Sequence, residues 1–146
     1  DFMKEKESIN VLDELNKGAC MGIDAINFLF DKIESKDLKV ILNKQCEEYQ
    51  NILNRIAEIY PDYSKKEPHE TNAINKAMTF WGIEMKTITD KSDSKVVELL
   101  LQGTNMGIIE GRKLLNHKCT DQEVEILIEK YITMQEDYYD ILKEYL

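Results

Sequence analysis

The sequence predicts an all-α protein, in which four long helices form a bundle and a shorter helix lies in the connection between two helical hairpins. Three observations support this fold class. Apolar residues recur at steps of three and four over long stretches, as amphipathic helices require. Both prolines, Pro61 and Pro68, lie in one short segment, and a glycine-rich motif at Gly18 recurs at Gly103.

The first hairpin is predicted over residues 7–60. Its first helix runs from about Glu7 to Ile33 and its second from about Leu38 to Tyr60, with a tight connection at 35–37. Each helix carries a continuous apolar stripe, so each can bury one face against its partner.

Residues 61–93 are predicted to be the one long connection, because proline ends helices. Within it, periodicity predicts a shorter helix from about Asn72 to Thr89. At 1.5 Å per residue this helix would span roughly 27 Å, enough to run back along the bundle. Such a crossover makes the second and third long helices parallel.

The second hairpin is predicted over residues 94–146. Its first helix runs from about Ser94 to His117. The last helix begins near Thr120-Asp-Gln-Glu123, which fits a capping box, with the threonine hydroxyl and the glutamate satisfying each other's backbone amides.

The two hairpins share two motifs, which indicates an internal duplication. Gly18-Ala-Cys-Met-Gly-Ile23 resembles Gly103-Thr-Asn-Met-Gly-Ile108, and residues 47–53 resemble residues 136–142. The number of residues that separates the two copies of the first motif differs from that of the second motif by about one helical turn. Coincidence in a biased composition is the alternative interpretation. The whole chain, 1–146, is interpreted as a single domain.

Glycines spaced by four within predicted helices indicate tight helix packing, since each costs about 1 kcal/mol relative to alanine. We expect the first long helix and the helix after the crossover to touch along them. Met21, Met106 and Phe28 lie away from the main stripes. One interpretation is that the crossover helix covers the side of the bundle on which these residues lie. The other is that this side forms an interface with another protein chain, for which methionine and aromatic residues are suited. The candidate residues for interface or tight packing are Gly18, Met21, Gly22, Phe28, Met78, Trp81, Met85, Gly103, Met106 and Gly107.

Composition opposes several classes of partner. The net charge of −9 and the presence of only two arginines, Arg55 and Arg112, argue against nucleic acid and anionic membranes. No apolar run is long enough to span a bilayer, and no secretory signal is seen, although processing before Asp1 could have removed one. The three widely spaced cysteines favour a reduced, cytoplasmic compartment. Richness in Lys, Ile, Asn and Tyr suggests an AT-rich bacterial genome.

Three motifs stand out along the chain: Gly18-Ala-Cys-Met-Gly22, Trp81-Gly-Ile-Glu-Met-Lys86 in the crossover, and Gln102-Gly-Thr-Asn-Met-Gly107. Through these motifs the chain resembles bacterial ferritin-like domains of unknown function. The resemblance spans nearly the whole chain. It implies a ferritin-like four-helix bundle and says little about activity.

Di-iron members of that fold use glutamates and E-x-x-H motifs that point inward. This sequence has no E-x-x-H, and its two histidines, His69 and His117, lie in the linker and at a helix end. The polar residues nearest the core are Gln45, Tyr49, Thr104, Tyr131, Gln135 and Tyr138, which can satisfy one another by hydrogen bonds. Oxygen-only coordination by Asp24, Glu48, Glu110 and Asp137 is the surviving metal hypothesis.

The sequence therefore predicts a non-catalytic bundle that acts by association, as a homodimer or with a protein partner. No catalytic residue, metal ligand or cofactor is assigned. The absence of G-x-S-x-G, Walker A and G-x-G-x-x-G motifs leaves hydrolase and nucleotide-binding functions without support. The alternative is an iron-binding oxidoreductase or storage protein with an atypical carboxylate site, which rests on fold analogy alone.

Overall fold

The computed structural model describes residues 2–68 and 75–146, and this part of the chain is all-helical, as predicted. It contains five α-helices and two short 3₁₀ helices and no strand. The α-helices are α1 (Phe2–Phe30), α2 (Lys36–Ile59), α3 (Lys76–Lys86), α4 (Asp93–His117) and α5 (Gln122–Leu142), and the 3₁₀ helices cover Tyr60–Asp62 and Lys143–Tyr145.

The observed helix bounds differ from the predicted ones mainly at α1 and α3. Helix α1 begins earlier and ends at Phe30, while Ile33 is buried just beyond its end. The predicted start of the crossover helix at Asn72, and His69 in the linker, lie outside the described residues. The described helix begins at Lys76, after Asn75 accepts a hydrogen bond from the Met78 backbone N–H at 2.9 Å.

The capping box predicted for the last helix is wrong. The residue that precedes α5 is Asp121, whose side chain makes no capping bond. Thr120 is buried, and the Glu123 carboxylate instead accepts a hydrogen bond from the Tyr63 hydroxyl at 2.9 Å. Glu123, which the local pattern assigned to capping of the helix, therefore makes a tertiary contact with Tyr63 instead.

Hydrogen bonds at the helix ends define the chain directions. The Asp93 carboxylate at the start of α4 accepts the backbone N–H groups of Glu34 and Ser35, both at 2.9 Å. At the opposite end of these helices, the Cys119 N–H donates to Glu7. Helices α1 and α4 are therefore antiparallel. The bond between Tyr63 and Glu123 brings the end of α2 to the start of α5, so α2 and α4 run in the same direction.

One apolar core lies between the four long helices, which pack as α1 on α2, α4 on α5, α1 on α4 and α2 on α5. Fully buried aliphatic side chains come from each of them, including Leu12, Leu42, Leu99 and Ile128. Helix α3 packs on α4, where the indole N–H of Trp81 donates to the Leu99 carbonyl at 2.7 Å. Within the described ranges, no helix has the length and apolar character needed to cross a bilayer.

Candidate functional site

A cavity of about 770 Å³ lies beside the core, with walls formed by α1, α3 and α4. On α1 its lining residues extend from Asn10 to Ile26, and on α4 from Leu100 to Leu114, with Lys118 just beyond the end of that helix. The α1 stretch is about 24 Å long at 1.5 Å per residue, whereas a sphere of the same volume would be only about 11 Å across. The cavity is therefore elongated along the helices. Exposed lining residues such as Ala77 and Ile109 mark its mouth.

Eight of the ten candidate residues predicted from the sequence line this one cavity. They are Gly18, Met21, Gly22, Met78, Trp81, Gly103, Met106 and Gly107. The other two lie elsewhere: Phe28 is exposed on α1, and Met85 packs half-buried against the core. Two separate sequence motifs and the crossover helix thus converge on one space.

Met21 and Met106, which helical phase placed away from the apolar stripes, are half-buried and pack against the core. Both line the cavity, one from α1 and the other from α4. Methionine is flexible and polarizable, so these walls can adapt to the shape of an apolar molecule.

The glycines of α1 give space to large side chains from other helices. A methyl group at Gly22 would overlap the ring of Tyr49, and one at Gly18 would overlap the hydroxyl of Tyr131. Tyr49 comes from α2 and Tyr131 from α5. Each tyrosine therefore lies against the backbone of α1.

The glycines of α4 also leave space for side chains from other helices. A methyl group at Gly103 would overlap the Trp81 indole, and one at Gly107 would overlap the Gln135 amide. At Gly111 it would lie 2.8 Å from Ile132. The space beside the glycines of α1 and α4 is thus filled by aromatic, amide and aliphatic side chains, where the sequence had suggested direct contact between those two helices.

The side of the cavity formed by α2 and α5 carries a row of buried polar groups, which we call the polar floor: Gln45, Tyr49, Gln135 and Tyr131. The Tyr49 hydroxyl donates to Gln135 Oε1 at 2.7 Å. The Gln45 amide also lies beside the Tyr49 hydroxyl, and the Gln135 amide lies beside the Tyr131 hydroxyl. The expectation that these core polar residues satisfy one another is confirmed for Tyr49 and Gln135.

One atom of the polar floor is left unsatisfied. Gln45 is only 2% exposed, and in the described part of the chain its Oε1 is the one buried side-chain nitrogen or oxygen without a hydrogen-bond partner. Such an orphaned acceptor costs about 1–3 kcal/mol. The cavity is thus lined by a residue with an unmet requirement for a donor.

The polar floor is uncharged at neutral pH. Burial is the main cause that raises the pKa of Tyr131 to about 12, and it raises the pKa of Tyr49 further still. The charged residues that line the cavity include two pairs, Glu14 with Lys17 at 3.8 Å and Glu110 with Lys113 at 3.9 Å. Opposite charges therefore offset each other on the α1 wall and on the α4 wall.

The carboxylates of the metal hypothesis are not brought together. Glu110 lines the cavity, Glu48 and Asp137 line a separate shallow groove between α2 and α5, and Asp24 is exposed. Among residues 2–68 and 75–146, no three His, Cys, Asp or Glu side chains lie where they could hold one metal ion.

Comparison with protein-family models, with curated proteins and with solved structures finds no match to this chain. The site is therefore interpreted from its own geometry.

Sequence reasoning identified the glycine and methionine walls but did not assign the polar floor to a site. The available signal was that Gln45 and Gln135 fall on the apolar stripes of α2 and α5, where an uncharged amide needs a reason to be buried. Lys17, which is also buried and lines the cavity, was missed because the pattern gives no sign that its side chain turns inward.

Replacing Gly22 with leucine tests the close approach of Tyr49. The added side chain meets a ring that is buried and hydrogen-bonded to Gln135, so Gly22→Leu should lower the free energy of unfolding by about 1–3 kcal/mol. The matched control is Gly82→Leu, because nothing lies within 4 Å of a Cβ at Gly82. That change should raise stability by up to about 1 kcal/mol. Urea unfolding followed by circular dichroism compares the two, and equal effects would contradict the packing described.

The raised tyrosine pKa values predict loss of stability at alkaline pH. Burial and the neighbouring Asp13 carboxylate raise the pKa of Tyr60 to about 12. The Tyr60 hydroxyl donates a hydrogen bond to that carboxylate at 2.9 Å. Burial likewise raises the pKa of Tyr131 to about 12. In the unfolded chain tyrosine ionises near pH 10, so above that pH the unfolded state binds fewer protons than the folded state. Stability should be complete below about pH 10 and decline steadily towards pH 12.

Parallel titrations of tyrosinate absorbance and of helical circular dichroism measure this effect. The buried tyrosines should ionise together with the loss of helix. Ionisation of all seven tyrosines near the ordinary pKa with the helices intact would contradict it.

Proposed function

We propose that this protein is a non-catalytic binding protein that holds an extended, largely apolar small molecule in the cavity between α1, α3 and α4. The observation that carries the proposal is the cavity itself. Its volume of about 770 Å³ is within the range of small-molecule sites, and its lining combines apolar walls with a few buried polar groups, as such sites do.

The shape of the cavity favours a chain over a compact molecule. A ligand that lies along both α1 and α4 can replace water next to Met21, Met78 and Met106 over much of its length. Each methylene group buried this way contributes about 0.8 kcal/mol. A hydrocarbon chain is therefore the simplest ligand that uses the whole wall.

The proposed architecture is a ferritin-like bundle of two duplicated hairpins. The common direction of α2 and α4 supports the crossover topology, and the two copies of the motif support the duplication. Gly18 and Gly22 in one copy and Gly103 and Gly107 in the other line facing walls of the same cavity. The cytoplasm is the proposed compartment, because none of the three cysteines is in a disulfide.

A series of hexanol, octanol and decanol tests the proposal. Because each methylene adds about 0.8 kcal/mol, affinity should rise about threefold to fourfold per methylene. Protein carrying ¹³C-methyl methionine reports the location: the Met21, Met78 and Met106 signals should shift, and those of Met3 and Met134, which do not line the cavity, should not. Adamantan-1-ol has ten carbons in a compact cage and should bind more weakly than decanol.

Matched variants in α3 link binding to the cavity. Ala77 is exposed at the mouth, so Ala77→Trp should obstruct entry and weaken decanol binding at least tenfold without loss of fold. Glu84→Trp places the same side chain at an exposed position outside the lining and should leave binding unchanged. Equal binding by both variants, or shifts at all methionines alike, would overturn the proposal.

Self-association is the second candidate function, and it is favoured by apolar side chains on the outer side of α3. Phe80 is 66% exposed and Ile83 is 53% exposed, one turn apart on that helix. Aromatic and aliphatic side chains at such spacing are typical anchors of helix-mediated association.

Light scattering coupled to size-exclusion chromatography tests this candidate. The protein should elute as a dimer, and Phe80→Ser combined with Ile83→Ser should make it a monomer with unchanged helix content. Val40, which is also exposed but lies on α2, provides the control through Val40→Ser. A monomeric wild-type protein would exclude the homodimer.

A further inference from the structure

The orphaned Gln45 carbonyl specifies more about the ligand than the apolar walls do. The Tyr49 hydroxyl has a single proton, and that proton is donated to Gln135 Oε1. The Gln45 amide, which lies beside this hydroxyl, can therefore only donate to it, through the amide nitrogen. This leaves the Gln45 oxygen as the free end of the polar floor, able to accept but not to donate.

The position of Gln45 places this acceptor at one end of the elongated cavity. Gln45 lies one helical turn before Tyr49 on α2, and Tyr49 lies against Gly22, so the amide belongs to the region near Ala25 and Ile26 of α1. The Glu14–Lys17 pair is about two turns of α1 nearer the other end.

The surroundings of Gln45 select against an ionised ligand group. Ala25, Ile26 and Tyr49 are neutral and buried, and a carboxylate placed among them would lose its hydration without gaining a donor from the Gln45 oxygen. An uncharged hydroxyl or N–H group has the proton that the acceptor lacks.

We infer that the ligand is an alkyl-chain molecule with an uncharged hydrogen-bond donor at one end, a hydroxyl or an N–H, and that this donor binds Gln45 Oε1. The chain then runs along α1 towards Asn10. This inference rests on the proposed function and adds the chemistry and the direction of the ligand. The Gln45 oxygen is shielded from water in the free protein, so the amide must turn for this oxygen to reach a ligand in the cavity.

Three probes that each carry a ten-carbon chain separate the donor from the chain: 1-decanol, decyl methyl ether and decanoate. The ether keeps the chain and the oxygen but has no proton to donate, and the decanoate is ionised. Decanol should bind about tenfold more tightly than the ether, the size expected for one buried hydrogen bond. Decanoate should bind more weakly than both.

The readouts locate the hydrogen bond independently of affinity. In the decanol complex, the side-chain amide signals of Gln45 should shift, and intermolecular nuclear Overhauser effects should join them to the carbinol protons. The ether should leave the Gln45 amide signals nearly unchanged while it still shifts the methionine methyls of the cavity walls.

Gln45→Met tests the same bond from the protein side, because it removes the acceptor and keeps the length of the side chain. It should reduce the difference between decanol and its ether to within about twofold. If the variant does not fold, the comparison of the three probes on the wild-type protein tests the hydrogen bond to Gln45.

The outcomes separate this inference from the proposed function. Binding of all three probes with equal affinity, with shifts at Met21, Met78 and Met106, would overturn the donor inference and keep the chain-binding function. Tighter binding of decanoate than of decanol would also overturn it. Failure of every probe to shift the wall methionines would overturn the proposed function itself.

Discussion

The structure depends on the close approach of large side chains to helix backbone at the glycines of α1 and α4. Each glycine inside a helix costs about 0.5–1 kcal/mol, and the chain accepts this cost several times on two helices. In return, Tyr49, Tyr131 and Trp81 occupy space that a side chain at the glycine positions would otherwise fill. The polar floor, the attachment of α3 and the walls of the cavity all follow from that one steric condition.

The same condition explains why buried polar groups are collected on one side of the cavity. A tyrosine that packs against the backbone of another helix carries its hydroxyl into the interior, where it needs a partner. Gln135 serves Tyr49 and also contacts Tyr131, so one amide joins hydroxyl groups from α2 and α5. The row ends at Gln45, whose amide lies beside Tyr49 and whose oxygen has no hydrogen-bond partner. The unsatisfied acceptor is therefore the end of a row of polar groups that packing requires.

Much of the fold could be predicted from periodicity, because the apolar stripes of the long helices are regular and the prolines mark the connection. The cap of α5 could not, since Glu123 is used by Tyr63, which is distant in sequence. Glycine spacing identified the residues of the walls, but it does not reveal whether a glycine faces another backbone or an aromatic ring. Gln45 could be recognised as buried and polar. Only the three-dimensional arrangement shows that its oxygen has no partner.

Helix α3 contributes one wall of the cavity, yet it lies outside the two hairpins and is held to α4 through the Trp81 indole. Most of its other side chains, including Ala77, are exposed and bear little of the core packing. Substitutions there can change the width and chemistry of the cavity mouth while both hairpins keep their sequences. Ligand preference in such a protein can therefore diverge during evolution within a single short segment, at almost no cost to folding.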